Sequence, residues 1–171
     1  TLNATIKLII IPIKPNPSGE IPKNQFSYQF KLILIKFFKT NKMQDLINLG
    51  KKVAIAGGKE AMKYFRKPNL DFDNKSQTHF DPVSKADKNT ENIMKNLILQ
   101  HRPNDTIIGE ENIDVKGSSG FSWIIDPIDG TRGFMAGQTS WTVLISLNEG
   151  DKHHFGIIYQ PFTDEMFIGF N

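Results

Sequence analysis

Apolar and polar positions divide the chain into an irregular leader and a patterned body. Residues 1–42 hold two lysine-punctuated apolar stretches, Ile6–Ile13 and Phe26–Phe38, with Pro12, Pro15, Pro17, Gly19 and Pro22 clustered around the junction. Neither stretch reaches the ~18–20 residues needed to cross a bilayer. No small-residue cleavage site follows either one, which argues against a secretory signal. From Met43 onward the pattern becomes regular. Leu46, Leu49, Val53, Ala56, Met62 and Phe65 recur at near-helical spacing and predict an amphipathic helix over 44–66. Gly57-Gly58 weakens its middle, and Pro68 ends it. Residues 69–83 read as a polar loop. Ser84 is a good N-cap, with Asp87 three residues on, for a second helix that turns Ile93, Met94, Leu97 and Ile98 inward and stops near Pro103. Strand signals follow at Thr106–Ile108, Phe121–Ile125, Trp141–Leu147, Phe155–Tyr159 and Met166–Phe170, with turns at Glu149-Gly150 and Pro161–Asp164. Two helices followed by mostly hairpin-linked strands predict an α+β fold, the helices packing on an antiparallel sheet.

Composition changes this picture little, and charge changes it more. The 171 residues suffice for one domain with a core, or one domain with a tail, and 39% hydrophobic with 23% charged residues is ordinary for a globular chain. There is no cysteine, which excludes disulfides, zinc–thiolate sites and cysteine nucleophiles. The net charge of +3 is unevenly spread: residues 1–42 carry seven lysines against the single acid Glu20, whereas residues 43–171 carry 14 Lys and Arg against 17 Asp and Glu. A pI near 9.0 would ordinarily suggest a nucleic-acid partner, but the basic charge lies in the leader and no basic patch accompanies the motifs. Neither a nucleic-acid nor a membrane partner is expected. Residues 1–42 are read as a leader outside the fold, either translated upstream sequence before a native start at Met43 or an extension or targeting arm. Residues 43–171 form the domain.

Three acidic clusters carry candidate chemistry. In Asp126-Pro127-Ile128-Asp129-Gly130-Thr131, two carboxylates three residues apart close an apolar strand. A turn there points both acids and the Ile128 carbonyl into one small volume. That is a hard-oxygen environment, suited to Mg²⁺ rather than to zinc or copper. Gly130 permits close backbone approach, and a helix starting near Thr131 would offer N–H groups to a phosphate. The other clusters are Gly109-Glu110-Glu111 and Asp81-Pro82-Val83-Ser84-Lys85-Ala86-Asp87. Taken alone, the first reads as a solvated turn, and Asp87 reads as a first-turn helix acid favoured by the helix dipole.

In this order the three motifs, Asp81–Asp87, Ile108–Glu111 and Trp123–Phe134, resemble the inositol monophosphatase-like family of Mg²⁺-dependent phosphatases, over about residues 44–171. Phe80–Val83, Thr131–Phe134 and Tyr159–Pro161 look most like its histidinol-phosphatase branch. The resemblance implies a layered α/β sandwich and hydrolysis of a small phosphate monoester by metal-activated water, with two or three Mg²⁺ ions. It implies histidinol phosphate as substrate; inositol phosphate, a nucleotide 3′-phosphate or a sugar phosphate are the alternatives, and a non-catalytic fragment is a second alternative. By the same resemblance Glu110, Asp126 and the Ile128 carbonyl would bind one ion, Asp126 and Asp129 a second, and Glu110 a third. Thr131, bonded to Asp87, would orient the attacking water, and the Gly130 and Thr131 N–H groups would hold the phosphate. A cytoplasmic enzyme of histidine biosynthesis, and a homodimer, follow by analogy only.

Other residues are less decided. Lys75 stands as a lysine near the metal site or a solvated one. Arg132 suits a substrate charge or a surface ion pair. Glu111 is read as an acid beside the ligands or on the surface, with direct ligation the alternative. His153-His154 reads as exposed structure at a hairpin edge, Trp123 and Trp141 as core, and His79 and His101 stay unassigned. The family carries roughly 90–100 further residues with a Trp-Asp motif that completes the second metal site, so the chain alone is expected to be poorly stable and at best weakly active.

Overall fold

The computed structural model describes the backbone of residues 23–67, 72–74 and 82–170, and the side chains of residues 42–67 and 85–170. The chain divides into two compact units, Thr1–Gln44 and Asp45–Asn171. The described elements run α1 (Lys23–Met62), β1 (Phe72–Asn74), β2 (Pro82–Ser84), α2 (Lys85–His101), β3 (Thr106–Gly109), β4 (Phe121–Asp129), α3 (Thr131–Met135), β5 (Thr142–Glu149), β6 (Lys152–Gln160) and β7 (Glu165–Phe170). Lys75, His79, Phe80 and Asp81 lie outside the described residues, as does most of the leader.

Helix α1 begins just after Pro22, well before the expected residue 44, and ends at Met62 rather than 66. Beyond Met62 the chain tightens into turns in which Lys63 and Tyr64 bond three residues back, and Arg66, at a left-handed φ of 57°, bars any further helix. The stretch expected as loop contains a short ladder instead, with β1 antiparallel to β2 and Asp73 opposite Val83. Strand β2 leads directly into α2, so Ser84 does stand where the cap was expected.

The main sheet has the order β3-β4-β5-β6-β7. Strands β4 to β7 form an antiparallel meander joined by tight turns. The expected antiparallel pairing holds for β4 to β7, whereas β3 pairs parallel to β4, with Ile107 opposite Trp123. The reason lies in the connection. Residues 110–120 return to the start of the sheet, tied by a bridge between Ile107 and Val115, instead of turning back as a hairpin.

Alternation along the strands puts Phe121, Trp123 and Ile125 of β4, Val143, Ile145 and Leu147 of β5, and Phe155, Ile157 and Tyr159 of β6 in the core. The second unit's part of α1 packs closely on this face because its contact residues are small. A Cβ at Gly50 would come within 2.9 Å of Ile157 and Phe155, and one at Gly58 within 2.6 Å of the Tyr159 ring. One at Gly57 would come within 2.8 Å of Met94 in α2. The Gly57-Gly58 pair that costs helix propensity therefore permits helix–sheet and helix–helix contact.

Helix α2 departs from its expected apolar face. Met94 and Ile98 are fully buried, but Ile93 is 40% exposed, and Asp87, Thr90, Glu91 and Lys95 are buried instead. Of these, Asp87, Glu91 and Lys95 reach the loops that carry the acidic motifs.

Candidate functional site

Strand β4 runs through the Asp126 motif and does not end before it. In a regular strand, residues 126 and 129 would face opposite sides of the sheet. The register to β5 breaks here: Asp126 faces Leu144 and Asp129 faces Thr142, so one extra residue is accommodated between them. This bulge restores the parity and lets both carboxylates share a side. Ile128 is buried and anchors the bulge. Its N–H donates to Asp126 Oδ1 at 3.2 Å, and Asp129 Oδ2 accepts from Thr142 Oγ1 at 3.3 Å. Gly130, at φ 93°, then turns the chain into α3, a conformation that β-carbon-bearing residues rarely adopt.

Helix α2 meets this turn through Asp87, which is 1% exposed. Thr131 Oγ1 lies 3.3 Å from Asp87 Oδ1 and 3.1 Å from the Ile128 carbonyl oxygen, so its single proton is shared between two acceptors. A bond spanning 44 residues thus joins two of the acidic motifs. Glu110, exposed just beyond β3, brings in the third. Burial is the largest influence on the Asp126 carboxyl, and the charges of Glu110 and Asp129, with a smaller part from Asp87, add to it; together they push its pKa up to about 7. The four acids therefore share one electrostatic region. They do not converge to a point: among the described residues no three Asp, Glu or His side chains are gathered closely enough to enclose a metal ion. The donor set is nevertheless all oxygen. A half-buried carboxylate crowded by other carboxylates is also an arrangement that a hard divalent cation relieves.

The remaining predicted residues divide. Glu111 is half-buried, and its backbone N–H donates to Glu91 Oε2 at 2.7 Å. Arg132 is exposed on α3. Trp123 and Trp141 are core residues. His153 is exposed as expected, but His154 is buried, its Nε2 3.0 Å from Glu149 Oε2, because a register shift after Leu147 in the β5–β6 pairing turns it inward. An apolar hollow of about 880 Å³ on the opposite sheet face is lined by Ile124, Leu144, Ile158 and Phe167 and reaches Asp126 at its edge. It does not include Glu110, Asp129 or Thr131.

Sequence reasoning missed Glu91, Lys95 and Asp105, all buried. Asp87, Glu91 and Lys95 follow one another at four-residue intervals, which places them on one helix face. That spacing was the available signal.

A model of the inositol monophosphatase family matches residues 42–171. This chain belongs to the inositol monophosphatase family. The chloroplastic bifunctional phosphatase IMPL2 of Arabidopsis thaliana is 37% identical over 129 residues, covering 72% of this chain and 35% of that protein. A histidinol-phosphatase of Chlorobaculum parvum is 34% identical over 122 residues, covering 71% of this chain and 46% of the relative. Among solved structures, the extragenic suppressor protein suhB of Bartonella henselae superposes with a TM-score of 0.70 at 30% identity, covering 74% of this chain and 49% of that one. The family's α+β architecture is thus shared, and the chain spans between a third and a half of the length of these relatives. All three acidic motifs of this family member fall within the matched residues.

Proposed function

We propose that this chain carries the acidic, phosphate-facing half of a Mg²⁺-dependent phosphate-monoester hydrolase. The observation that carries the reading is the Asp126–Thr131 bulge closed against Asp87, beside a Glu110 close enough to shift the Asp126 carboxyl. Asp126, Asp129, Glu110 and the Ile128 carbonyl would hold Mg²⁺. Mg²⁺ in such a site lowers the pKa of bound water and neutralises charge on the attacking and leaving oxygens.

The chain's own residues do the rest. Asp87 is buried and oriented, so the Thr131 proton can point to it, which leaves the Oγ1 lone pairs to accept a hydrogen bond from water. The N–H groups of Gly130 and Thr131, at the turn into α3, would hold the phosphate. No covalent intermediate is needed, since positioning and charge suffice for phosphoryl transfer to water.

The substrate we propose is histidinol phosphate, on the strength of Thr131–Phe134 and Tyr159–Pro161 and of the similarity to a relative named for that activity. Phosphate release from histidinol phosphate, inositol 1-phosphate and a 3′-nucleotide, each with Mg²⁺ and with chelator, tests it. Turnover should need Mg²⁺ and favour histidinol phosphate. Asp126→Asn should abolish both turnover and Mg²⁺ binding; retention of most of either would overturn the site assignment. Preference for inositol phosphate would overturn the substrate alone.

A further inference from the structure

The buried pair Glu91–Lys95 is fully engaged, yet it touches none of the residues assigned to phosphate or water. Glu91 is 0% exposed and Lys95 6%. Glu91 Oε1 accepts from Lys95 Nζ at 2.7 Å and from the Asn112 N–H at 2.9 Å, and Oε2 accepts from the Glu111 N–H at 2.7 Å. Lys95 Nζ spends its other two protons on the Asn112 and Ile113 carbonyls, at 3.1 and 3.0 Å. The pair therefore binds the backbone of the loop that follows Glu110 from both signs of charge. The Glu91 carboxylate also lies flat on Gly109, where any Cβ would overlap it. At its base the loop is closed by two hydrogen bonds between Ile107 and Val115, at 2.8 and 2.9 Å. Glu110 thus sits between a glycine covered by Glu91 and an amide held by Glu91.

An ion pair taken out of water is seldom a source of net stability compared with an apolar pair of the same size. Its use here is geometric. We propose that Glu91, with Lys95 as its counter-charge, is a positioning residue for Glu110: by fixing residues 109–113 it sets the affinity of the acidic site for Mg²⁺. This rests on the Mg²⁺ reading of the site. Residues that orient metal ligands from behind typically change metal affinity 10–100-fold when altered.

The test is calorimetric titration of Mg²⁺ into the full chain, with Glu91→Gln, Lys95→Met and Asp126→Asn compared. Asp126→Asn should abolish binding. Glu91→Gln should weaken it about 10–100-fold, and Lys95→Met should also weaken it, because the loop carbonyls lose their donor. If Asp126→Asn abolishes binding while Glu91→Gln stays within about twofold, well below that range, the positioning role is refuted and the site reading stands. If Asp126→Asn leaves binding intact, the site reading fails and takes this inference with it. Hydrogen exchange on the unsubstituted chain guards against variants that do not fold. The Glu111 and Asn112 amides should be protected in Mg²⁺-free buffer, and rapid exchange of both would overturn the proposal.

Discussion

Asp105 offers the sharpest test of how this fold is held. It is 1% exposed and accepts four hydrogen bonds. Arg102 Nε and Nη2 donate at 2.8 and 2.9 Å, Ser119 Oγ at 2.6 Å, and Trp123 Nε1 at 2.9 Å. One carboxylate thereby ties the end of α2, the entry to β3, the loop before β4 and a core tryptophan of β4. Asp105→Ala removes both acceptor oxygens and with them all four bonds. Trp123 is fully buried, so its N–H loses its partner with no water to replace it, at a cost of about 1–3 kcal/mol. Arg102 is 27% exposed and Ser119 is exposed, so water recovers part of what they lose. Breaking a buried charge pair from one side typically costs about 3–5 kcal/mol, and the partial exposure of Arg102 places the expected loss near the lower end.

The same carboxylate sets a pH dependence. Burial is the largest influence and pushes its pKa up, but the hydrogen bonds from Arg102, Ser119 and Trp123 and the Arg102 charge outweigh it, so it lies below the ordinary value of 3.8. A depressed carboxylate contributes stability that is complete above the unfolded value and is lost as pH falls through the folded one. Urea unfolding followed by circular dichroism, which does not depend on Trp123 as probe, measures both effects. Asp105→Ala should lose about 3 kcal/mol near neutral pH and should lack the part of the acid-side slope below 3.8 that Asp105 contributes in the parent. A loss under about 1 kcal/mol, the worth of a single ordinary hydrogen bond, would refute the view that this residue staples the three elements.

Three further outcomes are expected. Gly58→Ala should destabilise by about 1–3 kcal/mol despite its gain in helix propensity, because the added methyl meets the Tyr159 ring and Pro161; thermal unfolding decides the sign. Tyr159→Phe removes the hydroxyl that donates to Asp164 Oδ1 at 2.8 Å, the bond that helps push the tyrosine up to about 12, and should cost about 0.5–1.5 kcal/mol in urea unfolding. Asp126, raised from 3.8 to about 7, opposes folding increasingly as pH climbs through that window, so stability in chelator should rise on acidification from 7 toward 4, and Mg²⁺ should flatten the slope. An Asp126→Asn variant that kept the same slope would remove Asp126 as its source.

What could be read in the sequence, and what could not, follows the range of the forces involved. The strands were legible because each alternates on its own: Val143, Ile145 and Leu147 declare an inner face without reference to any partner. The acidic turn was legible for the same reason, since Asp126, Asp129 and Gly130 are neighbours in the chain. The parallel pairing of β3 was not legible, because it depends on how residues 110–120 return, and nothing local distinguishes that return from a hairpin. The inward face of α2 departs from the hydrophobic pattern at Ile93, because hydrophobicity is not the only reason for burial. The helix instead buries Asp87, Glu91 and Lys95, each against a group far away in sequence: Thr131, the Glu111 amide and the Asn112 carbonyl. Burying a charged group is costly unless it is hydrogen-bonded, and for these three residues such partners come from elsewhere in the fold. The same logic ties architecture to site. Asp87, Glu91 and Lys95 of α2 all bond to one of the two loops that carry acids, so the helix that completes the core also sets the distance between Glu110 and the Asp126 turn. A core substitution that shifts α2, such as one at Met94 under Gly57, should therefore alter Mg²⁺ affinity as well as stability. An apolar change of the same cost in β6, remote from both loops, should alter stability alone. Metal titration of two such variants matched for stability separates a scaffold that merely supports the site from one that sets its dimensions.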